Sequence, residues 1–202
     1  MPAVAIINYG AGNLRSAKRG LERAGAEALI TDKPDDLTNA DAIVLPGVGA
    51  FSPAMKNITP LIPTLKQSIK DGKPLLGICL GLQLLFTKSS EGGTIAGLNF
   101  ISGSIIKLSN SVKTPQIGWN TVKIVQPHPL LEGVQDNSYF YFVHSYVPKP
   151  SKQDTVVATT EYGVAFPSIV AKGNVFATQF HPEKSSKTGA IILKNFVESV
   201  KR

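Results

Sequence analysis

Apolar residues in the first half of the chain fall in short β-branched runs separated by segments with helical spacing. Val4 to Asn8 predicts a strand, Asn13 to Ala24 a helix and Ala42 to Leu45 another strand, the βαβ rhythm of a parallel sheet. Between Phe51 and Lys70, Pro60 and Pro63 break the pattern, predicting a helix, a turn and a second helix that ends near Gly72. Leu75 to Ile78 is continuously apolar, as a strand buried on both faces should be, and Leu82-Leu84-Leu85-Phe86 predicts a helix packed back onto the sheet. The second half predicts strands at Ile105 to Leu108, Thr121 to Val125, Tyr139 to Val143, Val156 to Thr160, Ser168 to Val170 and Val175 to Gln179, as antiparallel additions to the sheet. Ile192, Phe196 and Val200 recur at i, i+4 and i+8, a closing amphipathic helix. Ligands are expected at the carboxyl ends of the parallel strands.

Composition narrows the class. With 202 residues, 43% of them hydrophobic and 17% charged, the chain can bury one sizeable core. It carries no internal repeat, low-complexity tract or linker, so residues 1–202 are expected to form a single domain. No apolar run approaches the roughly 18 residues that cross a bilayer, and Val4-Ala5-Ile6-Ile7 is too short for a secretory signal; the expected location is cytoplasmic, with no membrane contact. Lys and Arg number 21 against 14 Asp and Glu, but they are scattered, which disfavours nucleic-acid binding and leaves solvated surface or steering of an acidic partner. The single cysteine excludes an internal disulfide, and with the three histidines it forms no zinc-ligand spacing, so no metal is expected. The Gly10-Ala11-Gly12 turn lacks a dinucleotide fingerprint, whose third glycine would fall at Arg15.

Three short motifs carry candidate chemistry. Gly77-Ile78-Cys79-Leu80-Gly81 is G-x-C-x-G at a strand-to-helix junction, the cysteine counterpart of the G-x-S-x-G elbow. A cysteine there meets unpaired helix N–H groups that favour the thiolate nucleophile; by itself it could equally be a small buried apolar residue. In Gln179-Phe180-His181-Pro182-Glu183, Pro182 biases His181 toward extended backbone, and residues two apart on extended chain share a side. The Glu183 carboxylate can therefore orient the His181 ring, although H-P-E alone also suits a surface turn. In Leu45-Pro46-Gly47-Val48-Gly49 the glycines can turn the Val48 and Gly49 N–H groups toward an oxyanion, with the Leu80 N–H as second donor. An ordinary strand-to-helix turn is the plainer reading of that loop.

In the order P-G-V-G, G-I-C-L-G-L-Q, F-H-P-E, these motifs resemble the class I glutamine amidotransferases over nearly the whole chain. The resemblance implies an α/β, flavodoxin-like architecture: a single doubly wound domain around a central, mostly parallel (mixed) sheet. Four more segments are similar to the branch formed by glutaminase subunits of imidazole glycerol phosphate synthase: Asn8-Tyr9-Gly10-Ala11-Gly12-Asn13-Leu14, Ile117-Gly118-Trp119-Asn120, Tyr141-Phe142-Val143-His144-Ser145-Tyr146 and His181-Pro182-Glu183-Lys184-Ser185-Ser186. That likeness implies Cys79 as nucleophile with His181 and Glu183 as partners, and a glutamine pocket of Gly47, Gly49, Gln83, Ser145 and Tyr146. It implies no cofactor, and a heterodimer with a (β/α)₈-barrel cyclase that receives ammonia and makes imidazole glycerol phosphate and aminoimidazole carboxamide ribotide in histidine biosynthesis. Asn13, Trp119, Tyr141 and Lys184 would face that partner; read singly, they also suit a helix cap, two core aromatics and a solvated charge. His144 reads as structural and His128 as loop surface. Ile117 stands where methionine is expected in many relatives, a volume-conserving change.

Other readings stay open on residues alone. A glutaminase serving another ammonia acceptor shares the same three motifs, although Gly118-Trp119-Asn120 and Lys184-Ser185-Ser186 speak against it. A related α/β hydrolase could use the elbow without H-P-E, and a non-catalytic scaffold would be expected to have lost one of Cys79, His181 or Glu183.

Overall fold

The computed structural model describes residues 1–10 and 12–200; Ala11, at the centre of the Gly10–Gly12 turn, lies outside the described residues. In chain order the elements are β1 (Ala3–Ile7), α1 (Leu14–Arg23), β2 (Glu27–Thr31), α2 (Pro34–Asn39), β3 (Ala42–Leu45), α3 (Phe51–Ile58), α4 (Ile62–Lys70), β4 (Leu75–Ile78) and α5 (Leu80–Leu84). They continue as β5 (Phe86–Ser89), β6 (Ile95–Ala96), β7 (Ile101–Lys107), β8 (Gln116–Ile124), β9 (Ser138–His144), β10 (Tyr146–Pro150), β11 (Val156–Tyr162), β12 (Val164–Lys172), β13 (Val175–Thr178) and α6 (Ser186–Ser199).

The main sheet has nine strands in the order β2-β1-β3-β4-β13-β12-β11-β8-β9. Strands β2 through β13 pair in parallel, and from β13 outward every pairing is antiparallel. Because side chains alternate across a strand, each parallel strand feeds two cores. Val4, Ile6, Val44, Leu76 and Ile78 pack with Leu21 of α1 and Ile192, Leu193, Phe196 and Val197 of α6. Ala5, Ile7, Ile43, Leu45 and Leu75 pack on the other face against α3, α4 and α5. Helices on both faces make the domain doubly wound. Each large apolar side chain so enclosed contributes about 1.5–3 kcal/mol, and Phe51, Phe86, Phe140, Phe142, Phe166, Phe180 and Phe196 are all fully buried.

The structure departs from the sequence expectation in several places. The second-half strands do not all extend one sheet: β10, β7, β5 and β6 form a separate four-stranded sheet, whose Phe86, Ile101 and Ile105 pack into the second core. Phe86, expected in a helix, opens β5, because α5 stops at Leu84. Strand β2 is an addition to the expected elements; three of its five residues are buried or partly so, and it pairs with β1 along its whole length. Strand β8 begins at Gln116 rather than Thr121, which places Ile117 and Trp119 within it.

Candidate active site

The elbow after β4 is built by steric necessity. Cys79 has φ 54°, ψ −105°, a left-handed conformation that costs a non-glycine residue about 1–3 kcal/mol. Backbone hydrogen bonds hold it there: the Cys79 N–H donates to Thr178 O at 2.8 Å, and the Gln83 N–H donates to Cys79 O at 3.1 Å. Gly81 permits the turn because any Cβ there would lie 1.7 Å from the Leu45 carbonyl oxygen. The position of Cys79 thus depends on the end of the neighbouring strand β3.

Strands β4 and β13 are parallel neighbours, with Thr178 opposite Ile78, so the chain leaves both at the same edge. Their exits bring Cys79 and the Gln179–Glu183 segment together. His181 Nδ1 lies 2.7 Å from Glu183 Oε1, and both side chains are 1% exposed. Burial opposes the imidazolium, but the charges of Cys79 and Glu183 beside it, with the hydrogen bond to Glu183, outweigh that and raise the His181 pKa above its usual value; His181 Nε2 is buried with no hydrogen-bond partner among the described residues. The Cys79 thiol donates to Val143 O at 3.6 Å and accepts from Gln179 Nε2 at 3.7 Å. Ser185 anchors the turn: its hydroxyl donates to His181 O at 2.6 Å and accepts from the Tyr141 N–H at 3.0 Å. The His181 N–H in turn donates to Tyr141 O at 2.9 Å.

Beside the thiol lies a cavity of about 250 Å³ lined by Val48, Gly49, Cys79, Gln83, Val143 and Tyr146, among others. It is smaller than the roughly 300–1,000 Å³ typical of drug-sized ligands and suits one amino-acid-sized molecule. Ser145 and His144 also line it. A strained cysteine, a buried histidine with its carboxylate and a small pocket beside the sulfur are the parts needed for covalent acyl transfer.

The glutamine amidotransferase class-I family matches residues 5–200. The imidazole glycerol phosphate synthase subunit HisH of Natronomonas pharaonis is 51% identical over 202 residues, covering 96% of this chain and 94% of its own. That of Methanocaldococcus jannaschii is 51% identical over 195 residues, 96% of this chain and 98% of its own. This chain belongs to the class I glutamine amidotransferases, in the HisH family. Solved structures agree on the fold alone: a glutamine amidotransferase with a TM-score of 0.77 at 20% identity, covering 98% of this chain and 99% of its own, and PurLQS from Thermotoga maritima with 0.74 at 21%, covering 99% and 97%.

In this amidotransferase one of the expected oxyanion donors is already engaged. The Leu80 N–H, expected to be free, donates to Gly47 O at 3.3 Å, while the Tyr9 hydroxyl donates to Pro46 O. The P-G-V-G loop thus holds its Gly47 carbonyl toward the elbow. Val48 and Gly49 do line the cavity, but Gly47 does not; its Cα packs under Tyr9, whose Oη would be 2.0 Å from an added Cβ.

Of the residues expected to face a partner, three are brought together. Trp119 and Tyr141 meet edge to face with centroids 6.1 Å apart, and Lys184 Nζ sits 5.8 Å from the Tyr141 ring centre. Ile117 and Tyr139, 64% and 60% exposed, extend this surface along β8 and β9. Asn13 stands at the N-cap position of α1 with φ 69° but makes no side-chain capping bond, and its buried Nδ2 has no hydrogen-bond partner among the described residues; α1 packs against the Pro182–Lys184 turn. Two residues of the site are not singled out by the sequence pattern. Gln179 touches the sulfur, and Glu91 brings a carboxylate to the cavity, where Oε2 accepts the Phe51 N–H at 3.2 Å. Gln179 adjoins the H-P-E motif, which is the available signal; Glu91 lies in the loop after β5, where no periodicity marks it.

Proposed function

We propose that this HisH-family chain hydrolyses glutamine to glutamate and ammonia and delivers the ammonia to a cyclase subunit of imidazole glycerol phosphate synthase. The observation that carries the reading is the strained Cys79 elbow set against the buried His181–Glu183 pair. The Cys79 thiol passes its proton to His181 and Sγ attacks the side-chain amide carbon of glutamine; the C–N bond breaks as His181 gives that proton to the departing nitrogen, leaving a γ-glutamyl thioester and ammonia. Water then attacks the thioester, His181 takes the water's proton, and the thiolate leaves with glutamate formed. Glu183 holds the imidazole in orientation and balances its charge.

Val48, Gly49 and Leu80 would stabilise the tetrahedral oxyanion once the Gly47 carbonyl releases the Leu80 N–H. That peptide rearrangement would link turnover to partner and ligand binding, a population shift. The exposed Trp119–Tyr141–Lys184 surface is the proposed contact with a (β/α)₈-barrel cyclase in a cytoplasmic heterodimer, since aromatic anchors beside a cation are characteristic of docking faces.

The test is to mix the chain with imidazole glycerol phosphate cyclase and follow complex formation, glutamate release and cyclisation. Expected are a stable complex, a faster glutaminase rate than the free chain shows, and loss of glutamine-dependent but not ammonium-dependent cyclisation in Cys79→Ala. No complex, or glutamine turnover retained in Cys79→Ala, would overturn the reading.

A further inference from the structure

The glutamine cavity lies where the chain crosses from one sheet to the other. Strand β9 ends at His144 in the large sheet, β10 begins at Tyr146 in the small one, and only Ser145 stands between them. Neither sheet's hydrogen-bond ladder alone sets the geometry of that rim. Two side-chain bonds do cross it. His144 Nδ1 is 3.0 Å from Tyr146 O, and Gln83 Nε2 of α5 donates to the same oxygen at 3.1 Å.

A carbonyl oxygen only accepts, so His144 Nδ1 carries the hydrogen. The ring is gripped on the large-sheet side by Phe142 and Phe166, at centroid distances of 5.7 and 5.2 Å. Nε2 is buried without a hydrogen-bond partner, and a second proton there would be an unsatisfied cationic donor. Burial accordingly lowers the His144 pKa to about 4, which leaves a neutral ring with one proton.

We propose that His144, as the Nδ1-protonated neutral imidazole, is a positioning residue for glutamine: with Gln83 it shares the Tyr146 carbonyl and ties the Ser145–Tyr146 rim to the helix after the nucleophile. The inference rests on the glutaminase reading. Its role differs from that of His181, because it acts on the shape of the pocket rather than on protons in flight. Removing it should loosen substrate binding more than chemistry.

The test uses the assembled complex with the cyclase. In His144→Leu, the glutamine KM should rise about tenfold, the cost of one lost hydrogen bond in a buried site, while kcat and ammonium-dependent cyclisation change little. His144→Asn places an amide donor near the Nδ1 position and should bring KM back to within about threefold of wild type. Nitrogen-15 NMR of the unmutated protein, its three histidines labelled, should show His144 protonated at Nδ1 at neutral pH, a readout independent of whether any variant folds. An unchanged KM in His144→Leu, an Asn variant as impaired as the Leu variant, or a proton found on Nε2 would each overturn the proposal. Failure of the glutaminase reading is distinguishable, since the unmutated complex would then release no glutamate.

Discussion

The two halves of the main sheet bury their residues in opposite ways. In the parallel half, every residue of β3 and β4 is buried, with helices on both faces. In the antiparallel half, β8 and β9 alternate, and the outward positions Ile117, Trp119 and Tyr139 are more than half exposed. The first half is a rigid platform whose carboxyl ends aim the elbow and the H-P-E turn. The second presents an aromatic surface and yet touches the chemistry, because the Val143 carbonyl accepts from the thiol and Tyr141 is hydrogen-bonded to the His181 turn. If the proposed docking face is right, aiming of the elbow and contact with the partner share one sheet.

Substitutions can break this contrast, and the largest effect should fall on the platform. Gly81→Ala, which puts a Cβ against the Leu45 carbonyl, should destabilise the fold by about 3 kcal/mol in chemical denaturation, as overpacking against backbone does. Glu183→Gln should lower kcat by about a hundredfold or more, by analogy with other oriented histidines. Its pH profile carries the sign: Glu183 helps raise the His181 pKa, so the imidazolium persists above its ordinary titration range. Losing the carboxylate should move the alkaline limb of glutamine-dependent turnover to lower pH. On the docking half, Trp119→Ala should weaken cyclase binding about thirtyfold, as a central aromatic anchor does, measurable by titration calorimetry. The smallest effect is expected for Ile117→Ala, within about 0.5 kcal/mol of the original stability, whereas Ile43→Ala, fully buried in β3, should cost about 2–5 kcal/mol.

The same contrast explains what can be read from residues alone. Strands β3 and β4 stand at the bounds expected for them, because burial on both faces leaves an uninterrupted apolar run. Strand β10 is not legible: Pro148 and Pro150 argue against a strand, and they are tolerated because β10 is an edge of the small sheet. Strand β5 hides for a related reason, since Thr87 and Lys88 are not buried and only Phe86 and Ser89 are. Cys79, His181 and Glu183 are legible because each motif needs its neighbours locally: glycines for the turn, proline for extended backbone. The engaged Leu80 N–H is not, since it depends on which way the Gly47 carbonyl points, and a glycine-rich loop allows either direction. His144 looks merely structural in its apolar strand; its bond to Tyr146 spans a seam between two sheets that no periodicity reveals.

Covalent capture at the elbow tests the central claim most directly. A diazoketone analogue of glutamine, added to the complex with cyclase and followed by peptide mapping, should alkylate Cys79 and abolish glutamine-dependent cyclisation while ammonium-dependent cyclisation persists. Modification at another residue, or full inactivation with Cys79 unmodified, would contradict the assignment of Cys79 as the nucleophile.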